Sequence, residues 1–234
     1  MKKIAYTIIL VAIVMISFGV YKTLNVSKTD VKDTSKTSDN SKTTVEKEKV
    51  LNENTFLMGV EDVFTLAGRG IIVTGLIKKG SIIPNDTIEV IGMGKNATYV
   101  VTGILRNKEE VDSAKEGDYI GLLLRSTNRD LFLRGQVVVN PDSMKDTNRF
   151  EATLDVVDTK NSYSSSDELK YYFWYNDNEG EIELPKGVES ISPETNNLNV
   201  TITLKNKVGM EIGTEFSIRK KGIVIAKGKV TKMY

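Results

Sequence analysis

The segment Glu61–Gly80, EDVFTLAGRGIIVTGLIKKG, is the strongest constraint on what this chain can fold into. Val63 and Leu66 lead into Gly68-Arg69-Gly70, and Gly70 opens the apolar run Ile71-Ile72-Val73. Two glycines around one residue admit the positive φ that a tight reversal needs and that residues carrying a Cβ resist. The segment therefore reads as strand, turn, strand: a β-hairpin whose far end carries Lys78 and Lys79.

The same grammar continues to the carboxyl end. Phe150, Ala152, Leu154 and Val156 alternate with Glu151, Thr153 and Asp155. Leu198, Val200, Ile202 and Leu204 repeat the period of two, and Gly222–Met233 is rich in β-branched residues. Turn signals punctuate these runs at Pro84-Asn85-Asp86, Gly92-Met93-Gly94, Gly117-Asp118, Asn140-Pro141-Asp142, Asn178-Glu179-Gly180 and Pro185-Lys186-Gly187. The best helical window, Glu109–Lys115, is short and mostly charged. About a dozen short strands with regular punctuation argue for an all-β fold of barrels or sandwiches. The polar, proline-led stretch 141–148, PDSMKDTN, divides the body into two halves, 55–141 and 149–234. Each is long enough for a small antiparallel β-barrel, which leaves no sheet edge exposed.

Composition narrows the chemistry. The net charge of the 234 residues is +1, so bulk electrostatics favours neither nucleic acid nor anionic lipid. Cysteine and histidine are both absent. That removes disulfides, thiol catalysis, the usual zinc ligands and the commonest general base. Asp/Glu pairs are plentiful, but no spacing ties one to a second chemical group. The reading is a chain that is not an enzyme, with no catalytic residue, no metal and no cofactor.

The amino end reads differently. Met1-Lys2-Lys3 precedes Ile4–Val20, which carries no charge. As a helix this run spans roughly 25 Å, and extension to Leu24 with Lys22 snorkelling reaches the ~30 Å hydrocarbon core. Residues 1–24 are expected to form a signal anchor, a single transmembrane helix. Ser17-Phe18-Gly19 also places small residues at the two cleavage-determining positions, and cleavage there would release a secreted body. The charges flanking the span do not set orientation; the short basic start favours a body outside the cell membrane. Residues 25–54 are rich in Ser, Thr, Lys, Asp, Asn and Glu, with no apolar period. They bury too little to offset ordering entropy and are expected to be a disordered polar linker.

Several stretches of the body, in order, resemble domains two and three of elongation factor Tu. FLMGVEDVFTLAGRGIIVTGLIKKGSI is similar to the start of domain two, and NDTIEVIG, TYVVTGIL and GDYIGLLLRSTNRDLFLRGQVVVNP to its later strands. RFEATLDVV, NEGEIELPKGVESISP and NNLNVTITLKNKVGMEIGTEFSIRKKGIVIAKGKV resemble domain three. The resemblance covers residues 56–234 and implies two antiparallel β-barrels packed on each other. The GTP-binding domain of that family is missing. The sequence has no G-x-x-x-x-G-K-[ST] phosphate loop, and Asn107-Lys108-Glu109-Glu110 lacks the final Asp of a guanine-reading motif. GTP is therefore not an expected ligand.

In the family, domain two holds the aminoacylated 3′ end of transfer RNA. The resemblance places Glu61, Asp62, Phe64 and Thr74 in or beside that groove. Leu105 stands where the family has a glutamate that contacts the terminal ribose, and leucine cannot accept a hydroxyl proton. Tyr119 replaces an asparagine at the aminoacyl pocket, Lys108 an arginine, and Asn107 an aromatic residue or histidine. In domain three, Asn161–Asp167 replaces a basic, aromatic loop that helps bind the transfer RNA stem, which weakens phosphate contact. Tyr171–Tyr175 reads as a strand alternating between the core and the contact between barrels.

The expected function is a membrane-tethered, non-catalytic binding module that recognises a protein or a cell-envelope component. The alternative is a translation-elongation factor that binds transfer RNA or ribosome at the cytoplasmic face of the membrane.

Overall fold

The computed structural model describes residues 55–234. The expected membrane segment, 1–24, and linker, 25–54, lie outside the described residues. Among the described residues no helix is long and apolar enough to cross a membrane. The sole helical element there is a single 3-10 turn, Arg129–Leu131. All else is strand and connection, eighteen strands against the dozen expected.

The first barrel uses β1 (Leu57–Gly59), β2 (Asp62–Leu66), β3 (Gly70–Lys79), β4 (Ser81–Ile82), β5 (Thr87–Ile91), β6 (Ala97–Arg106), β7 (Glu109–Val111), β8 (Ala114–Lys115), β9 (Tyr119–Leu124) and β10 (Val137–Val139). Its wall runs β1-β10-β5-β6-β9-β3 and closes through β3 onto β1, antiparallel throughout. β2 continues from β1 along the same edge of β3, and β7 folds back on β6; both project beyond the closed wall. Thus Glu109–Lys115, the best helical window, is two short strands.

The β2–β3 hairpin forms as read from the sequence. Gly68 and Gly70 adopt φ of 76° and 106°. A Cβ on Gly70 would also lie 2.4 Å from the Leu124 carbonyl oxygen, so backbone conformation and space both demand glycine there. Alternation then sorts β3: Ile71, Val73 and Ile77 enter the core, whereas Ile72, Thr74 and Leu76 stay partly exposed on the outside.

The second barrel comprises β11 (Lys145–Val156), β12 (Tyr163–Ser164), β13 (Lys170–Phe173), β14 (Asn176–Glu183), β15 (Ser190–Ile191), β16 (Leu198–Met210), β17 (Glu215–Lys220) and β18 (Ile223–Met233). It closes in the order β11-β16-β14-β13-β17-β18. Three phenylalanines fill its centre. Phe150 meets Phe173 and Phe216 edge-on at 5.7 and 5.6 Å, and Phe173 stacks on Phe216 at 4.7 Å. Such pairs add about 0.5–1.5 kcal/mol each beyond the area they bury.

Two local expectations change. Asn178-Glu179-Gly180, read as a turn, lies inside β14. Asn178 is buried and donates from Nδ2 to the Tyr171 and Asn176 carbonyls at 3.2 Å, so it serves the barrel interior. Gly180 lets β16 pass close by, because a Cβ there would lie 2.6 Å from the Thr203 carbonyl oxygen. The reversal falls instead at Trp174-Tyr175, with Trp174 at φ 53°, a position usually given to glycine. β11 also opens at Lys145, inside the stretch read as a divider. The link between barrels is the turn around Asn140–Ser143, where the Ser143 N–H donates to the Asn140 carbonyl.

The two barrels share a packed seam. Leu57, Ile91, Val137 and Val139 of the first barrel are buried together, with Met144 and Trp174 against them. The Trp174 indole donates to the Gly209 carbonyl at 2.9 Å, and the Met93 N–H donates to the Lys207 carbonyl at 2.8 Å. Tyr171–Tyr175 is strand only as far as Phe173: Tyr171 and Phe173 enter the core, while Trp174 and Tyr175, in the turn, pack against Gly59 of the first barrel.

Candidate functional site

The register of the first barrel assembles most of the candidate residues on one outer face. Asp62 pairs with Thr74, Thr74 with Gly121, Gly121 with Leu105, and Leu105 with Glu110. That row crosses β2, β3, β9, β6 and β7. The next row out is Phe64, Ile72, Leu123 and Gly103; on the other side Leu76 pairs with Tyr119. Residues two apart on a strand share a face, so Asp62, Phe64, Thr74, Leu105 and Tyr119 all face outward together.

Gly121 makes the shallow centre of this face. A Cβ there would meet Ile72 Cγ2 at 2.9 Å and Thr74 Cγ2 at 3.5 Å, so the neighbouring side chains lean over the gap. The Tyr119 hydroxyl donates to Thr74 Oγ1 at 3.4 Å, and Thr74 Oγ1 donates to the Asp62 carbonyl at 3.3 Å. Both contacts are long and weak, which leaves these hydroxyls available to a ligand. Phe64 is 54% exposed and Tyr119 50%, although each carries a large aromatic ring.

Glu61 stands just ahead of β2. Its N–H donates to the Thr74 carbonyl at 2.8 Å, and its carbonyl accepts from Arg134 Nη1 at 3.2 Å. Arg134 also lies 3.5 Å from the Asp62 carboxylate and donates from Nε to the Tyr175 carbonyl at 2.7 Å. Its guanidinium sits 5.9 Å from the centre of the Tyr175 ring. One side chain thereby ties the edge of the face to the second barrel. Burial, the largest cause, pushes the Tyr175 hydroxyl up from its ordinary pKa, with the Glu61 carboxylate acting the same way.

Asn107 and Lys108 are placed differently. With φ of 54° and 71° they form the two-residue turn of the β6–β7 hairpin. Asparagine tolerates that conformation well, so a turn requirement accounts for Asn107 without any ligand. Both stand exposed at the hairpin tip rather than in the outward rows. Asp118 caps the β8–β9 turn, accepting from the Lys115 N–H at 3.0 Å and from Nη1 of Arg106, the residue before the hairpin tip, at 3.1 Å. The Lys115 N–H, then the Arg106 charge, hold the Asp118 carboxyl below its ordinary value.

The sequence reading missed Arg134, Ile72, Leu76 and the central Gly121. The last three were recoverable from the alternation of β3 and β9 once their pairing was known. Nothing in the sequence signals Arg134. Among the described residues no group of three or more acidic side chains is arranged to hold a metal ion. The chemistry on offer is contact: two aromatic rings, branched apolar side chains, two hydroxyls and carboxylates at the rim.

These barrels define an all-β, translation-factor-like module. The family described as elongation factor Tu domain 2 matches residues 70–139 of the chain, the span from β3 to β10. Two closed six-stranded barrels in succession fit the second and third domains of elongation factor Tu.

Proposed function

We propose that the chain is a non-catalytic binding module. It is held at a membrane by residues 1–24, carried on the linker 25–54, and grips a protein or cell-envelope component through the outer face of the first barrel. The observation that carries this reading is the solvent exposure of Phe64 and Tyr119 on one face that is otherwise apolar at its centre. Aromatic side chains at such a density are what binding surfaces use as anchors. GTP hydrolysis is no part of this function.

A second reading keeps transfer RNA or ribosome as the ligand, with the body in the cytoplasm. It is favoured by one observation, the gathering of Asp62, Phe64 and Thr74 beside one another on β2 and β3. Leu105 and Tyr119 on the same face argue against it, because Leu105 offers no acceptor for a ribose hydroxyl and Tyr119 adds bulk where an aminoacyl group would lie.

Two measurements separate the readings. Protease treatment of intact cells releases the body under the first reading and leaves it untouched until lysis under the second. Filter binding of aminoacyl transfer RNA at low salt gives no retention under the first. Micromolar retention with a steep salt slope establishes the second.

A further inference from the structure

A notch of about 820 Å³ lies between the Gly68–Gly70 turn and the chain leaving β9, and it shares Leu123 with the end of the Phe64 row. Its size suits a small polar molecule. Its floor includes Leu66, Ala67 and Leu123, and its polar groups are chemically one-sided. Arg69 and Arg125 supply guanidiniums; Thr65, Thr127 and Ser126 supply hydroxyls; Asn128 supplies a carboxamide; no carboxylate lines it. In a chain whose net charge is +1, that local excess is not a consequence of composition.

The groups differ in how far they are already engaged. Arg125 is exposed and has no ion-pair partner among the described residues. Arg69 is held from outside the notch by Glu110. Ser126 Oγ accepts from the Asn128 N–H at 3.3 Å, which leaves its own proton free to donate. Asn128 Oδ1 accepts from the Asp130 N–H at 3.1 Å, so its amide protons remain available. The polar part of the lining therefore offers donors and no anionic group. Guanidiniums match the oxygens of a phosphate, and hydroxyls with a carboxamide match the hydroxyls of a polyol.

We propose that this notch binds the phosphate ester of a polyol, with Arg69 and Arg125 on the phosphate and Thr65, Ser126, Thr127 and Asn128 on the hydroxyls. The inference rests on the reading of the chain as a binding module, but its polar contacts come from the Gly68–Gly70 turn and the chain leaving β9, not from Thr74 or Tyr119. The ester could be free or part of a polymer; the shared chemistry is the phosphorylated polyol.

Calorimetric titration of the full-length chain in mild detergent tests it, with sn-glycerol 3-phosphate, poly(glycerol phosphate) and inorganic phosphate as probes. Saturable binding of the monomeric ester is expected. Arg125→Ala, at an exposed position that the fold does not need, weakens it about tenfold or more. Glu110→Gln releases Arg69 and tightens it about twofold. Polymer binding tighter than monomer points to a polymeric source, and equal binding per site points to a free one. The proposal is overturned by no saturable binding, by equal affinity for inorganic phosphate, or by indifference to both substitutions. It is also overturned if Tyr119→Ala abolishes ester binding, because the ligand then sits on the Phe64–Tyr119 face. Loss of partner capture at that face with ester binding intact defeats only the reading of the face.

Discussion

Replacing Gly209 by alanine adds one methyl group to the seam between the barrels. A Cβ at this position would lie 2.4 Å from Val137 Cγ2 and 3.0 Å from Ile91 Cγ1. Both neighbours are branched, fully buried side chains with nowhere to move. Gly209 is not among the residues of positive φ, so alanine can adopt its backbone conformation. Overpacking costs about 1–3 kcal/mol, and the smaller entropy of the unfolded alanine chain returns about 0.4–1 kcal/mol. The net expectation is a loss of about 1–2 kcal/mol, or roughly 0.5–1 M in the urea midpoint.

The assay is built in. Trp174 is the sole tryptophan, and its indole N–H bonds to the Gly209 carbonyl. Its emission therefore reports on the seam directly, alongside far-ultraviolet dichroism. A lowered midpoint with red-shifted emission is expected. Adding Val137→Ala removes the clashing methyl, so the double variant should lose less than the sum of the two singles. An unchanged midpoint and unchanged emission in Gly209→Ala would refute the claim that the barrels pack as a close-fitted pair.

Gly70→Ala combines positive φ with a clash against the Leu124 carbonyl, and should cost about 2–4 kcal/mol in urea unfolding. A loss below the error of the measurement would show that the hairpin tolerates a Cβ. The Glu179 carboxyl is lowered to about 2 by hydrogen bonds from Lys170 and then Lys205. A depressed acid contributes stability that is present above its unfolded pKa and lost as pH falls through the folded one. The urea midpoint should therefore fall between about pH 4.5 and 2, and fall less in Glu179→Gln. Equal slopes in the two proteins would remove that role. The Tyr171 hydroxyl is buried without a hydrogen-bond partner among the described residues. Tyr171→Phe should leave stability unchanged or raise it by about 1 kcal/mol, and a clear loss would reveal a partner for that hydroxyl.

The architecture was legible where local chemistry and fold agree. The Gly68-Arg69-Gly70 turn and the alternation in β11 and β16 are dictated by positive φ and by period-two burial, both local properties. The false turn at Asn178-Glu179-Gly180 shows the limit of such signals. Asparagine and glycine are also what a barrel interior uses for a buried amide and a close strand crossing, and only the neighbouring strands reveal which applies. Trp174 is the converse case. A tryptophan at φ 53° carries no turn signal in sequence, and its strain is offset by the indole bond to Gly209 and by burial against Leu57 and Val139.

The candidate face divides the same way. Phe64, Thr74, Leu105 and Tyr119 come together because strand register puts them there, which a linear reading could reach only through family resemblance. Asn107 and Lys108 carried the same resemblance but serve a hairpin tip. Arg134 bridges Glu61, Asp62 and Tyr175 from a connection far along the chain, and no pattern of residues announces a contact of that range.

The central claim is that the outer face of the first barrel grips a partner. A photo-reactive side chain placed at Phe64 or Tyr119 of the full-length chain in living cells tests it directly, with Ile223 at the exposed tip of the β17–β18 hairpin as control. The account expects one discrete cross-linked species from positions 64 and 119 and none from 223. Cross-links of equal yield and pattern from all three positions, or cross-linking to transfer RNA, would contradict it.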